Sequence, residues 1–133
     1  MGDRLTFLAG RRLVNVAGES HYQEALRALT GSAGTDLVRG DFRAVLVPEP
    51  ENRHDPNAVK VLLNDRHVGY LPRAEAAAYR PMLERLAGRG RRGACEAMVS
   101  GRGGSSGTSN IGVFLRLPEP DEPSGASNVT RAW

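Results

Sequence analysis

Cysteine is almost missing from this sequence: Cys95 is the single one, so no intrachain disulfide and no cysteine-based zinc cluster can form. Aromatic residues make up only 5% of the chain, so any ring beside polar side chains draws scrutiny. Lysine is scarcer still, with Lys60 the one exception among 18 basic residues. Such arginine bias suits bidentate forks on phosphate, and it equally follows from GC-rich coding. No apolar run approaches the roughly 20 residues that cross a bilayer as a helix, and no secretory signal is recognisable. The expectation is a soluble, cytoplasmic protein with no membrane partner. The phosphate-cradling pattern Gly-x-x-x-x-Gly-Lys-Ser/Thr is absent, which excludes ATPase chemistry of that type from these residues.

What is present fits one domain. The 133 residues are 40% hydrophobic, enough for a packed core. Net charge is +3 and the isoelectric point is near 9.6, an excess that permits an anionic partner without requiring one. Its distribution is uneven: residues 1–117 hold 17 bases and 12 acids (+5), and residues 118–133 hold one base and three acids (−2).

Periodicity predicts short strands with two helices between them. Residues 1–11 read as a flexible leader or a short strand, LTFLAG. LVNVAGE alternates as a strand, and HYQEALRALTG has helical spacing through Tyr22, Ala25, Leu26 and Leu29, stopped by Gly31. DFRAVLVPEP is a strand ended by Pro48 and Pro50. AVKVLLN and HVGYLPR form a hairpin about Asn64-Asp65-Arg66. AEAAAYRPMLERLAG is helical, with Pro81 expected to kink or divide it. GACEAMVSG and IGVFLRL are strands flanking a flexible Gly-rich loop. From Pro118 onward the acidic, Pro-rich tail is expected to be disordered. No internal repeat occurs. The fold class is mainly β with two helices (α+β), arranged as a small OB-like or SH3-like β-barrel.

The densest chemistry lies in ENRHDPNAVK. Asn52, His54, Asp55 and Asn57 satisfy a structured turn, in which Asx side chains bond nearby backbone amides and Pro56 fixes φ. For Asn57 that reading is preferred. For Asp55 a second reading stands level: a carboxylate repels internal phosphates yet accepts a hydrogen bond from a sugar hydroxyl. A flat ring beside it, His54, stacks on a base, worth about 1–3 kcal/mol. That pair suits the terminal nucleoside of a strand.

The run PENRHDPNAVKV, followed by HVGYLPRAEA and preceded by VAGESHYQEAL, closely resembles the HIRAN domain family, over Val14 to Leu117. The resemblance implies a domain over residues 12–117 with an OB-type barrel that captures the 3′-hydroxyl end of single-stranded DNA and serves in repair or stalled-fork processing. It further implies DNA-binding roles residue by residue. Asp55 takes the 3′-hydroxyl hydrogen bond, His54 and His21 occupy base-stacking positions, and Asn52 lies near the terminal nucleotide. Tyr70 stands at a pocket position and Arg73 at a phosphate. Two departures are visible: His21 and His54 stand where the family has tyrosines, and Ser20 where it has arginine. Tyr22 is a further candidate ring, its other reading being the apolar helix face.

Other features carry less. Arg85, Arg89, Arg91 and Arg92 read as a solvated helix end, the alternative being a phosphate track. A metal site from His21, His54, His67 and Asp55 lacks helical i, i+4 spacing, so no metal and no cofactor are expected. Cys95, among small apolar residues, reads as a buried thiol. The expectation is a non-enzymatic module that binds single-stranded DNA or DNA 3′ ends and guides a separate helicase or nuclease. The rivals are a metal-dependent nuclease built on His54 and Asp55, and a protein-interaction adaptor whose nucleotide pocket has decayed. RNA binding is a weaker third.

Overall fold

A computed structural model describes residues 4–30, 37–102 and 110–120. The order of elements is β1 (Arg4–Phe7), β2 (Arg12–Asn15), a 3₁₀ turn (Glu19–His21), α1 (Gln23–Thr30), β3 (Leu37–Pro48), β4 (Val59–Leu63), β5 (Arg66–Tyr70), α2 (Arg73–Ala87), β6 (Arg91–Arg102) and β7 (Asn110–Leu117). The expected loop at 31–36, the Gly-rich segment at 103–109 and the tail beyond residue 120 lie outside the described residues.

The seven strands form one sheet in the order β2-β7-β6-β3-β4-β5, with β1 running parallel beside the start of β6. The sheet curls until its ends meet. Just past β2, Ala17 bridges Tyr70 at the end of β5 through two backbone hydrogen bonds of 2.7 and 2.9 Å. Among the described residues, closure is through this one bridge between the two ends of the sheet. It also depends on Gly69, whose φ is 151° and where an added Cβ would lie 2.4 Å from Val16 Cγ1 and 2.6 Å from Ala17 O. The mostly antiparallel, curled sheet with two helices matches the small OB-like barrel expected from the sequence.

Alternation drives the interior. Val59, Val61 and Leu63 of β4, Cys95, Ala97 and Val99 of β6, and Ile111, Val113, Leu115 and Leu117 of β7 are all buried. Burial pushes the Cys95 thiol far above its usual range, so it stays a neutral core group. At the β4–β5 turn Asn64 and Asp65 have φ of 49° and 65°, the left-handed pair that a type I′ hairpin demands and that Asn and Asp tolerate best. The expected leader is in part a true strand, β1.

Two tethers position the helices. Gln23 opens α1 and pairs like a strand residue with Ile111 of β7, donating to its carbonyl at 2.9 Å and accepting from its N–H at 2.9 Å. That fixes the preceding turn bearing His21. On α2, Ala76, Tyr79, Met82, Leu83 and Leu86 face the barrel. Arg12 grips Glu75 with both guanidinium ends at 2.7 Å and also donates to the Tyr79 hydroxyl at 3.3 Å. The buried Tyr79 hydroxyl donates in turn to the carbonyl of Pro118. Pro81 does not divide α2, which runs unbroken from Arg73 to Ala87. Buried residues on both sides of the exposed Pro81 hold the two halves on one core, outweighing the missing backbone donor.

Candidate nucleic-acid interface

Residues 49–58 leave β3 after Pro48 and return as β4, and their own side chains shape them. Glu49 N–H donates to Ala58 O at 2.9 Å, closing the base of the loop. Asn52 turns inward: its Oδ1 accepts from the backbone N–H groups of His54 at 2.9 Å and Asp55 at 3.1 Å. Its Nδ2 donates to Glu49 Oε1 at 3.1 Å. The imidazole of His54 is left exposed at the loop tip.

Asp55 uses its two oxygens differently. Oδ1 accepts from the Asn57 N–H at 2.9 Å, the Asx turn anticipated for this segment. Oδ2 faces Arg73 Nε across 3.6 Å. The Asp55 side chain is 21% exposed and that of Arg73 80% exposed, so the acid is partly sheltered and the cation reaches into solvent. Arg73 is the first residue of α2, which starts directly after the β5 strand and Pro72. The loop, the end of β5 and the start of α2 thus converge at one rim of the barrel. Behind them Arg80 braces the loop, donating from Nε to Glu84 at 3.0 Å and from a terminal nitrogen to Asn57 Oδ1 at 3.4 Å.

A bulge explains the neighbouring aromatic group. Leu62 pairs with His67, but Lys60 pairs with Tyr70, so β5 carries one extra residue opposite Val61. The slip puts His67 and Tyr70, three residues apart, on the same outer face, where plain alternation would separate them. Their rings meet edge to face at 4.8 Å, and Tyr22 leans on His67 at 4.5 Å between centroids. His67 Nε2 is 2.9 Å from Gly69 O. Burial lowers the His67 pKa, against the opposing effect of that carbonyl, and favours the neutral ring.

Glu49 joins the two halves. Its Oε1 accepts from both Asn52 Nδ2 and the Tyr70 hydroxyl, each at 3.1 Å, and its Oε2 lies 3.6 Å from Lys60 Nζ. Burial alone would raise its pKa; the donors Asn52 and Tyr70, with Lys60 nearby, overcome that and lower it. Burial, then the hydrogen bond to Glu49, raises the Tyr70 phenol.

Contacts therefore link six of the seven site residues read from the sequence, in a path from Tyr22 through His67, Tyr70, Glu49 and Asn52 to His54, Asp55 and Arg73. His21, exposed at the end of the 3₁₀ turn, adjoins Tyr22 but makes no contact within this path. Tyr22 caps the start of α1, its carbonyl accepting from the Leu26 N–H at 3.1 Å, and its half-buried ring lies against His67. Glu49 and Arg80 have no part in the sequence reading, and His67 enters it only as a candidate metal ligand. For Glu49 a signal existed, an acid three residues before an Asn at the mouth of a turn. For His67 the bulge hides it. Among the described residues no three His, Cys, Asp or Glu side chains group as metal ligands would, and no helix is long and apolar enough to cross a membrane.

Comparison with known proteins gives three findings. No curated protein matches the chain. Among solved structures, the crystal structure of the HIRAN domain of human HLTF is similar, at 20% identity over 83% of this chain and 78% of that one, with a TM-score of 0.39. The family model of the HIRAN domain matches residues 10–116, nearly the whole described barrel, and on that match the chain belongs to the HIRAN domain family.

Proposed function

We propose that this protein binds single-stranded DNA at a free 3′-hydroxyl end, without catalysis of its own. HIRAN domains are nucleic-acid-binding modules, and the finer assignment is read from this chain's residues. The observation that carries it is the split use of Asp55: one oxygen locked by Asn57, the other held at a rim beside the exposed Arg73. A carboxylate so placed accepts a hydrogen bond from a terminal sugar hydroxyl, while the guanidinium beside it meets the adjoining phosphate. His54 and His21, exposed on two segments, offer ring faces to bases, and Tyr22 and Tyr70 back the same rim. Because an internal phosphodiester in the Asp55 position would be repelled, the arrangement selects ends over continuous strands. The role that follows is placing a separate helicase or nuclease at broken or stalled DNA, in the cytoplasm.

The test is a titration of labelled oligonucleotides that differ only at the end. A 3′-hydroxyl strand is expected to bind about tenfold tighter than the same strand with a 3′-phosphate, and tighter than blunt duplex. Equal affinity for all three sinks the assignment.

A further inference from the structure

A groove runs along α2 away from the Asp55–Arg73 rim, and none of the site residues above accounts for it. It begins as a hollow of about 340 Å³ at Pro56 and Asn57, lined on the helix side by Arg80 and Glu84. It continues into one of about 410 Å³ that shares Arg80 and Glu84. The second hollow has an apolar floor and one wall of Leu46, Leu83, Pro48 and Pro50, and its far end carries Arg91 and Arg92. Three arginines and one glutamate line it, and that glutamate is paired with Arg80 at 3.0 Å.

We infer that this groove is a second site for the same DNA strand, receiving the nucleotides upstream of the captured end; the inference rests on the 3′-end reading above. Its chemistry suits an oligonucleotide better than an apolar peptide. Arginines at the far end meet phosphates, while Pro48 and Pro50 offer apolar surface to sugars and bases. Its position suits a continuous strand. From Arg73 to Ala87 the helix advances about 21 Å at roughly 1.5 Å per residue. At a stacked spacing of about 3.4 Å per nucleotide that is roughly six nucleotides, within the span of about 4–16 usual for a barrel of this type. Arg80 then has two duties, bracing the Asn57 turn and bordering the path.

The test uses the full chain and 3′-hydroxyl oligothymidylates of three and eight nucleotides. The octamer is expected to bind at least about tenfold tighter than the trimer. Two exposed groove substitutions, Arg92→Gln and Ala87→Glu, are expected to erase that advantage and leave trimer binding unchanged. Arg92→Gln should also flatten the octamer's salt slope by about 0.7. Octamer binding and salt slope equal to the parent in both variants overturn the inference. So does release of a Glu-rich peptide by Ala87→Glu with the octamer unaffected, which would make the groove a peptide site. End selection is scored separately, on the trimer with and without a 3′-phosphate. Its failure with the octamer advantage intact would remove the end-binding reading alone.

Discussion

The Tyr70 hydroxyl donates to Glu49 Oε1 at 3.1 Å, and the same oxygen accepts from Asn52 Nδ2. One carboxylate thereby locks the loop that carries His54 and Asp55 to the strand that closes the barrel. Glu49→Gln keeps the shape and removes the charge, and should lower stability by about 1–3 kcal/mol at neutral pH, as expected for hydrogen bonds to an ionised group. The sign in pH follows from the lowered pKa of Glu49. Its contribution is present above the ordinary value of 4.5 and is lost as pH falls through the lower folded-state value. Urea unfolding of parent and variant from pH 7 to pH 3 checks this: the gap should close at the acid end. A constant gap would contradict it.

Gly69 should be the least replaceable residue of the closure. A Cβ there meets Val16 and the Ala17 carbonyl at less than 3 Å, in a backbone conformation that side chains rarely adopt. Gly69→Ala is expected to destabilise by about 3 kcal/mol. Gly18 makes the control, since φ is 77° but nothing lies within 4 Å of an added Cβ. Gly18→Ala should lower stability by only about 1 kcal/mol, the conformational part alone. Equal losses in urea titrations would place the strain elsewhere.

Neither the Glu49 junction nor the closure at Gly69 was legible in the sequence, whereas local turns and clean alternation were. The hairpin at Asn64-Asp65 could be read because turn-forming residues separate two short apolar runs, and β4 because its apolar residues alternate cleanly. Asp55 and Asn57 could be read as an Asx turn from spacing alone. Three things could not. The bulge opposite Val61 changes the facing of β5, so the place of His67 beside Tyr70 is hidden until the pairing is known. The unbroken α2 depends on burial either side of Pro81, a tertiary effect that overrides local preference. The Glu49 junction joins residues 21 apart in the chain, brought together only when the sheet curls.

At the rim, charge and shape can be separated. Asp55→Asn retains an oxygen to accept from Asn57 and so preserves the turn, while weakening the acceptor offered to a sugar hydroxyl. It should cut the preference for 3′-hydroxyl over 3′-phosphate ends by about tenfold, with unfolding nearly unchanged. Arg73→Gln should instead weaken every strand and flatten the salt slope by about 0.7, one phosphate contact. Fluorescence anisotropy at several salt concentrations distinguishes the two patterns, and identical behaviour of both variants would refute their separate roles.

His67 supplies the remaining pH effect. Burial between Tyr22 and Tyr70 depresses its pKa below the ordinary 6.5, so the folded state prefers the neutral ring. Protonation therefore opposes folding: the stabilisation from the neutral ring is present above pH 6.5 and declines as pH falls through the folded-state value. His67→Phe keeps a ring against Tyr22 but cannot titrate. As pH falls below 6.5 the parent's urea midpoint should fall more than that of the variant. An NMR titration of the His67 ring should give an apparent pKa below 6.5 in the folded protein. A value above it would mean that the Tyr22–His67–Tyr70 cluster stabilises the imidazolium, and that the rim gains a cation in weak acid.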